Sequence, residues 1–145
     1  MLSREIIFKK VDLAGQYLSE LESLLATSMV DFIADSRTIR AAERNFQLVV
    51  DEAIDINTQI LLELGLTTPD SYRQSFVRLG KAGVLPIALA NDLSKSAELR
   101  NILVHEYDLE QDDEKFYQSA KKYAPQYREY FQALIKYLQG DTRPQ

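Results

Sequence analysis

The nine residues Leu99-Arg100-Asn101-Ile102-Leu103-Val104-His105-Glu106-Tyr107 bring together an arginine, an asparagine, a tyrosine and the chain's only histidine. Imidazole is the side chain suited to moving protons near neutral pH, and a guanidinium is suited to holding a phosphate or a pentavalent phosphorane. That combination is the minimum equipment for metal-independent RNA cleavage, in which a 2′-hydroxyl attacks the adjacent phosphate. Asparagine is suited to fixing the imidazole. One copy offers a single acid–base group. Two copies facing each other across a dyad would place two histidines and two arginines in one cleft, and a two-fold dimer is the commonest assembly.

On a helix at about 100° per residue, with Leu99 at zero, Ile102, Leu103 and Glu106 fall near 300°, 40° and 340° and mark the expected core face. Arg100, Val104 and Tyr107 fall at about 80–140°, and Asn101 and His105 at about 200–240°. The four polar groups are therefore expected to project from the side turned away from the monomer core. Other motifs are absent: there is no GxxxxGK[ST], GxGxxG, HExxH, GxSxG or EF-hand loop. Asp51, Glu52 and Asp55 cluster without a Glu-x-x-His partner and read as a solvated face, so no metal and no cofactor is expected.

The elements that must position this segment are helical. Apolar residues at Ile7, Val11, Ala14, Leu18, Leu21 and Leu25 draw one stripe over Ile6–Leu25. A second helix is expected over Thr38–Leu64, with Ile39, Ala42, Phe46, Val49, Val50, Ala53, Ile56, Ile60 and Leu64 inward and Gly65 closing it. A third is expected over Ser71–Lys81, capped by Asp70 or Ser71, with Tyr72, Phe76 and Leu79 inward. Pro86 opens a fourth, with a break at Ser94–Ser96 and a continuation to about Tyr107. The last spans Asp113–Leu138, with Pro125 inside it, ending at Gly140. This predicts a single all-α domain over 1–145, a bundle of about five helices with a frayed tail over 140–145.

Composition narrows the function. The 145 residues carry 17 basic and 22 acidic side chains, net −5. That argues against a protein that coats nucleic acid by bulk electrostatics. The absence of cysteine removes disulfides, thiolate zinc and cysteine nucleophiles. Charge is uneven: residues 1–70 hold 6 basic and 12 acidic residues, whereas residues 71–145 hold 11 and 10. Five of the acids in the second half lie within 108–114, so a local basic surface is compatible with the overall sign. Neither a signal peptide nor an apolar run near the ~18 residues of a membrane span is present. The expectation is a cytoplasmic protein with no membrane partner.

Arg100-Asn101-x-x-x-His105-x-Tyr107 resembles the R-x₄-H-x-Y signature of the HepT toxins, a branch of the HEPN superfamily of helical ribonucleases. The blocks AIDINTQILLELGL from Ala53, PDSYRQSFVRLGKAGVLP, LRNILVHEYDL and the closing FQALIKYL resemble the HepT layout in order and spacing. The resemblance runs from about residue 40 to 138. It implies a homodimeric helical bundle whose two R-x₄-H segments share an RNase cleft, with Arg100, His105 and Asn101 catalytic and tRNA or mRNA as substrate. It also implies a partner, an MntA-like nucleotidyltransferase antitoxin that transfers AMP from ATP onto Tyr107 and silences the nuclease. A higher hetero-oligomer with that antitoxin is consistent with the same layout. The acidic run after Tyr107 would repel a phosphate backbone, so it is expected to face away from the cleft or to dock the antitoxin. The competing reading is a non-catalytic helical partner of a minimal nucleotidyltransferase.

Overall fold

The computed structural model describes residues 4–105, with the His105 side chain left out, and residues 112–140. Among them seven helices follow one another: α1 (Arg4–Leu24), α2 (Met29–Ala34), α3 (Ser36–Glu63), α4 (Tyr72–Lys81), α5 (Ile87–Ser94), α6 (Ser96–His105) and α7 (Asp113–Leu138). No strand occurs among the described residues. None of these helices is long and apolar enough to cross a membrane. The all-α bundle expected from periodicity is the fold observed.

The apolar stripe of α1 is buried as its spacing requires: Ile7, Val11, Ala14, Leu18 and Leu21 all face inward. The stripe of α3 is buried from Ile39 to Ile60, and Leu61 extends it. Leu64, expected on that stripe, is 43% exposed because the helix ends one residue earlier at Glu63. Gly65, at φ +81°, takes the left-handed conformation that lets the Leu66 N–H return to the Leu61 carbonyl. Two expected elements are subdivided or joined by a neighbour. The fourth helix breaks at Lys95, giving α5 and α6. The six-residue α2, too short to show a period, is made by its caps and by the burial of Phe32, with Met29 and Ile33 packed beside it on the core. The Ser28 hydroxyl accepts from the Asp31 N–H, and Phe32 is fully buried against Phe116 and Tyr117 of α7. Asp35 ends α2 and caps α3. The Thr38 hydroxyl and the N–H groups of Thr38 and Arg37 hold its carboxyl below the usual carboxylate range.

Tyr127 and Tyr130 are fully buried on α7, edge-on to each other and packed against Phe76 of α4. Burial is the main cause that pushes both phenols far above their ordinary range, so each acts as a neutral donor or acceptor. The Tyr130 hydroxyl donates to Asn57 Oδ1 at 2.5 Å and lies 3.1 Å from the Ala53 carbonyl. Asn57 Nδ2 donates to Ser75 Oγ at 3.1 Å, and Ser75 Oγ donates to the Tyr72 carbonyl at 2.8 Å. One buried chain of hydrogen bonds therefore ties α7 to α3 and α3 to the start of α4. A second ties α6 to α7: Ser96 Oγ lies 2.6 Å from the Tyr127 hydroxyl and 2.6 Å from the Leu93 carbonyl. These contacts fix where α6 begins.

Gly80 sets the distance between α4 and α5. A Cβ added there would lie 2.8 Å from the Ala90 Cβ, closer than real carbon pairs come. Gly80→Ala is therefore expected to cost about 1–3 kcal/mol by forcing the two helices apart. Tyr130→Phe leaves the Asn57 amide oxygen buried without its donor, for a loss of about 1–3 kcal/mol. Urea unfolding followed by helical circular dichroism measures both. Midpoints equal to wild type would mean that neither contact limits stability.

Candidate active site

Three helices meet at the candidate site. α6 lies along α3 with α4 beside both, and an ion pair between Arg73 of α4 and Glu98 of α6 closes the outer edge at 3.2 Å. The azimuth of α6 differs from the expectation. Ser96 and Ala97 are fully buried, Leu99 and Leu103 are packed against the core, and Ile102 is 39% exposed. The inward face is thus centred near about 80° on the scale used above, not near zero. The reason lies outside the segment: the buried Ser96 hydroxyl, held by Tyr127 and the Leu93 carbonyl, sets the rotation before the apolar residues are reached.

That rotation corrects the expectation for Arg100. Its side chain is turned toward α3 and keeps only 14% of its surface. Arg100 Nε donates to Asp51 Oδ1 at 2.6 Å, and Nη1 donates to Asn101 Oδ1 at 3.1 Å. Its guanidinium carbon stands 5.1 Å from the centroid of the Tyr72 ring. An arginine this enclosed needs an anion and benefits from an aromatic face, and it has both. Asn101 is exposed, as expected. His105 is the last residue of α6. Its side chain, Tyr107, and the first part of the acidic run at 108–111 lie outside the described residues. The end of that run is described: Asp112 caps α7, accepting from the Lys115 N–H at 3.1 Å, and Asp113 and Glu114 occupy the first turn, where acids suit the helix dipole.

Two residues of this arrangement were not assigned to it by sequence reasoning. Tyr72, expected inward, is 45% exposed and carries Arg100 on its ring. Asp51, expected on a solvated face, is two-thirds buried and holds Arg100 across 49 positions of sequence. The usable signal was chemical: an arginine on a part-buried face demands a carboxylate, and the nearest long helix carries a cluster of three, Asp51, Glu52 and Asp55. The other two are otherwise engaged. Asp55 binds Lys10 at 2.7 Å, and Glu52 stands 4.0 Å from the same ammonium. Burial raises the Glu52 carboxyl above its ordinary range, and the hydrogen bond to Asp55 raises Lys10. Among the described residues no group of three or more histidine, cysteine or acidic side chains is arranged to hold a metal ion.

Comparison with known proteins gives this geometry a context. A family model described as "Ribonuclease HepT-like" matches residues 14–134. The chain is 33% identical over 133 residues to the tRNA nuclease HepT of Aphanizomenon flos-aquae, covering 92% of this chain and 90% of that protein. It is 36% identical over 63 residues to the mRNA nuclease HepT of Shewanella oneidensis, covering 43% and 47%. In fold it is similar to the tri-AMPylated Shewanella oneidensis HEPN toxin solved in complex with an MNT antitoxin. That match has TM-score 0.81 and 22% identity, and covers 90% of this chain and 97% of that one. It is also similar to the cytosolic protein YutE of Bacillus subtilis, of unknown function, with TM-score 0.83 and 19% identity over 99% and 96%. A match over most of the chain by the family model, together with one-third identity to a full-length relative, establishes that this chain belongs to the HepT-like ribonuclease family.

Proposed function

We propose that the chain is the toxin of a HepT/MntA toxin–antitoxin pair, an endoribonuclease whose site is completed by a second copy. The observation that carries this reading is the R-x₄-H pair of the R-x₄-H-x-Y motif on α6, in a chain of a ribonuclease family, with its arginine already anchored in a fixed orientation. Substrate RNA brings its own nucleophile. A base, the His105 imidazole, takes the 2′-hydroxyl proton as that oxygen bonds to phosphorus. The bond from phosphorus to the 5′-oxygen breaks as an acid, the His105 of the second copy, supplies a proton to the leaving oxygen. The products are a 2′,3′-cyclic phosphate and a 5′-hydroxyl. Arg100 stabilises the charge that builds on the non-bridging oxygens, and Asn101 lies beside it. The need for two proton carriers, with one histidine in the sequence, is what calls for the homodimer.

Regulation follows from the tyrosine. In the same reading an MntA-like nucleotidyltransferase delivers AMP to Tyr107. The phenol oxygen attacks the α-phosphorus of ATP, the bond to the β-phosphate oxygen breaks, pyrophosphate leaves and the phenol proton passes to solvent. An adenylate two residues from His105 places bulk and negative charge where substrate phosphate must sit. Support comes from two relatives that are named nucleases of tRNA and of mRNA, and from an AMPylated relative bound to its antitoxin.

Protein purified without a partner should cut RNA, and Arg100→Ala and His105→Ala should each lower the rate by about 100-fold or more. Equal cleavage by His105→Ala would overturn the assignment. A wild-type protein that leaves RNA intact would favour the non-catalytic partner instead. Intact mass after co-expression with an MntA-like nucleotidyltransferase should rise by whole adenylates that map to Tyr107. An unchanged mass would remove the proposed regulation.

A further inference from the structure

We infer that Asp51 is a positioning residue for Arg100, holding the guanidinium by one edge so that its tip is presented to the scissile phosphate. This rests on the nuclease reading above. A guanidinium has five N–H groups in a fixed planar fork. The Nε–H goes to Asp51 at 2.6 Å, in a part-buried bond, and one Nη1–H goes to Asn101 at 3.1 Å, in an exposed one. The group therefore enters the α3–α6 seam Nε edge first, with its tip toward the surface. The parallel Nη1–H and Nη2–H at that tip form the pair that fits two oxygens of a phosphate. The Tyr72 ring, 5.1 Å from the guanidinium carbon, fixes the plane that Asp51 leaves free to rotate about the hydrogen bond.

The geometry separates this role from its opposite. A carboxylate that locked the arginine away from substrate would hold both N–H groups of one edge as a bidentate pair. Asp51 takes the Nε–H alone, and through a single oxygen. The work it does is to remove freedom from a long side chain before substrate arrives, which lowers the barrier rather than the binding constant. Asp51 touches neither substrate nor reacting atoms in this account and acts only through Arg100.

The test is steady-state cleavage of an RNA oligonucleotide by wild type, Asp51→Asn, Asp51→Ala and Asp55→Asn. Asp55 sits one turn away on α3 and faces Lys10, so Asp55→Asn controls for loss of a negative charge on that surface. Asparagine keeps an acceptor where Asp51 Oδ1 stands, so kcat is expected to fall about tenfold for Asp51→Asn, the worth of a charge-assisted bond over a neutral one. For Asp51→Ala the expected fall is about 100-fold, the usual effect of a misplaced catalytic group. KM should stay within about threefold in both, because an interaction made only in the transition state appears in kcat. The Arg100 Nε–H resonance, identified by its absence in Arg100→Lys, should exchange slowly with water in wild type and rapidly in Asp51→Ala. Asp51 variants that cut as fast as wild type or faster, or that change KM alone, would overturn the positioning role while leaving the nuclease reading intact. If wild type does not cut RNA, the nuclease reading falls and this role with it. Should Asp51→Ala melt early, the nearly isosteric Asp51→Asn decides the matter.

Discussion

Enclosing the Arg100 side chain to 14% of its surface without an anion beside its charge would cost several kcal/mol. The Arg100–Asp51 bond is thus a condition on how α6 can lie. It requires the middle of α6 to run beside the middle of α3 and, together with the Ser96 hydroxyl, fixes which face of α6 is turned inward. Once that face is set, Leu99 and Leu103 reach the core and Ile102 is left outside. The same bond decides that the arginine is an oriented group and not a long side chain moving freely in solvent.

The long α3 helix is the platform for this arrangement. Its twelve buried positions run almost its full length, and it contributes to each part of the molecule in turn. It packs on α1 through the apolar stripe, on α7 through Asn57 and Tyr130, on α4 through Asn57 and Ser75, and on α6 through Asp51. Two of its buried side chains are polar, Asn45 and Asn57. Asn57 is the more consequential, because a fully buried amide with both ends bonded admits one relative placement of α3, α4 and α7. The tyrosines of α7 play a matching part. Their rings fill the core beside Phe76, and their hydroxyls tie the core to α3 and to the first residue of α6.

The site therefore depends on buried polar contacts made well away from it. The hydroxyl of Ser96, held by Tyr127, starts α6 at one rotation. The break at Lys95 lets α6 leave the direction of α5, Gly80 brings α4 against α5, and Tyr72 on the first turn of α4 meets Arg100. A catalytic group on a short helix gains its precision from such supports, since ten residues of helix have little intrinsic stability.

Apolar spacing was sufficient to read α1, α3, α4 and α7 nearly to their ends, because each buries one continuous stripe and a stripe is a property of sequence alone. The R-x₄-H-x-Y spacing was likewise legible, since residues on one helix keep their angular relations whatever surrounds them. α2 was not, because six residues carry no period and Phe32 is the one fully buried side chain that docks them. Nor was the rotation of α6, because its inward face is chosen by a serine and an arginine whose partners, Tyr127 and Asp51, lie 31 and 49 positions away. Sequence by itself determined which residue types are available for chemistry and that Arg100, Asn101 and His105 share a helix. Only the packing of α3, α4 and α6 decided that the arginine is held by a carboxylate and a ring, because a buried charge takes its partner from whatever helix lies closest in space.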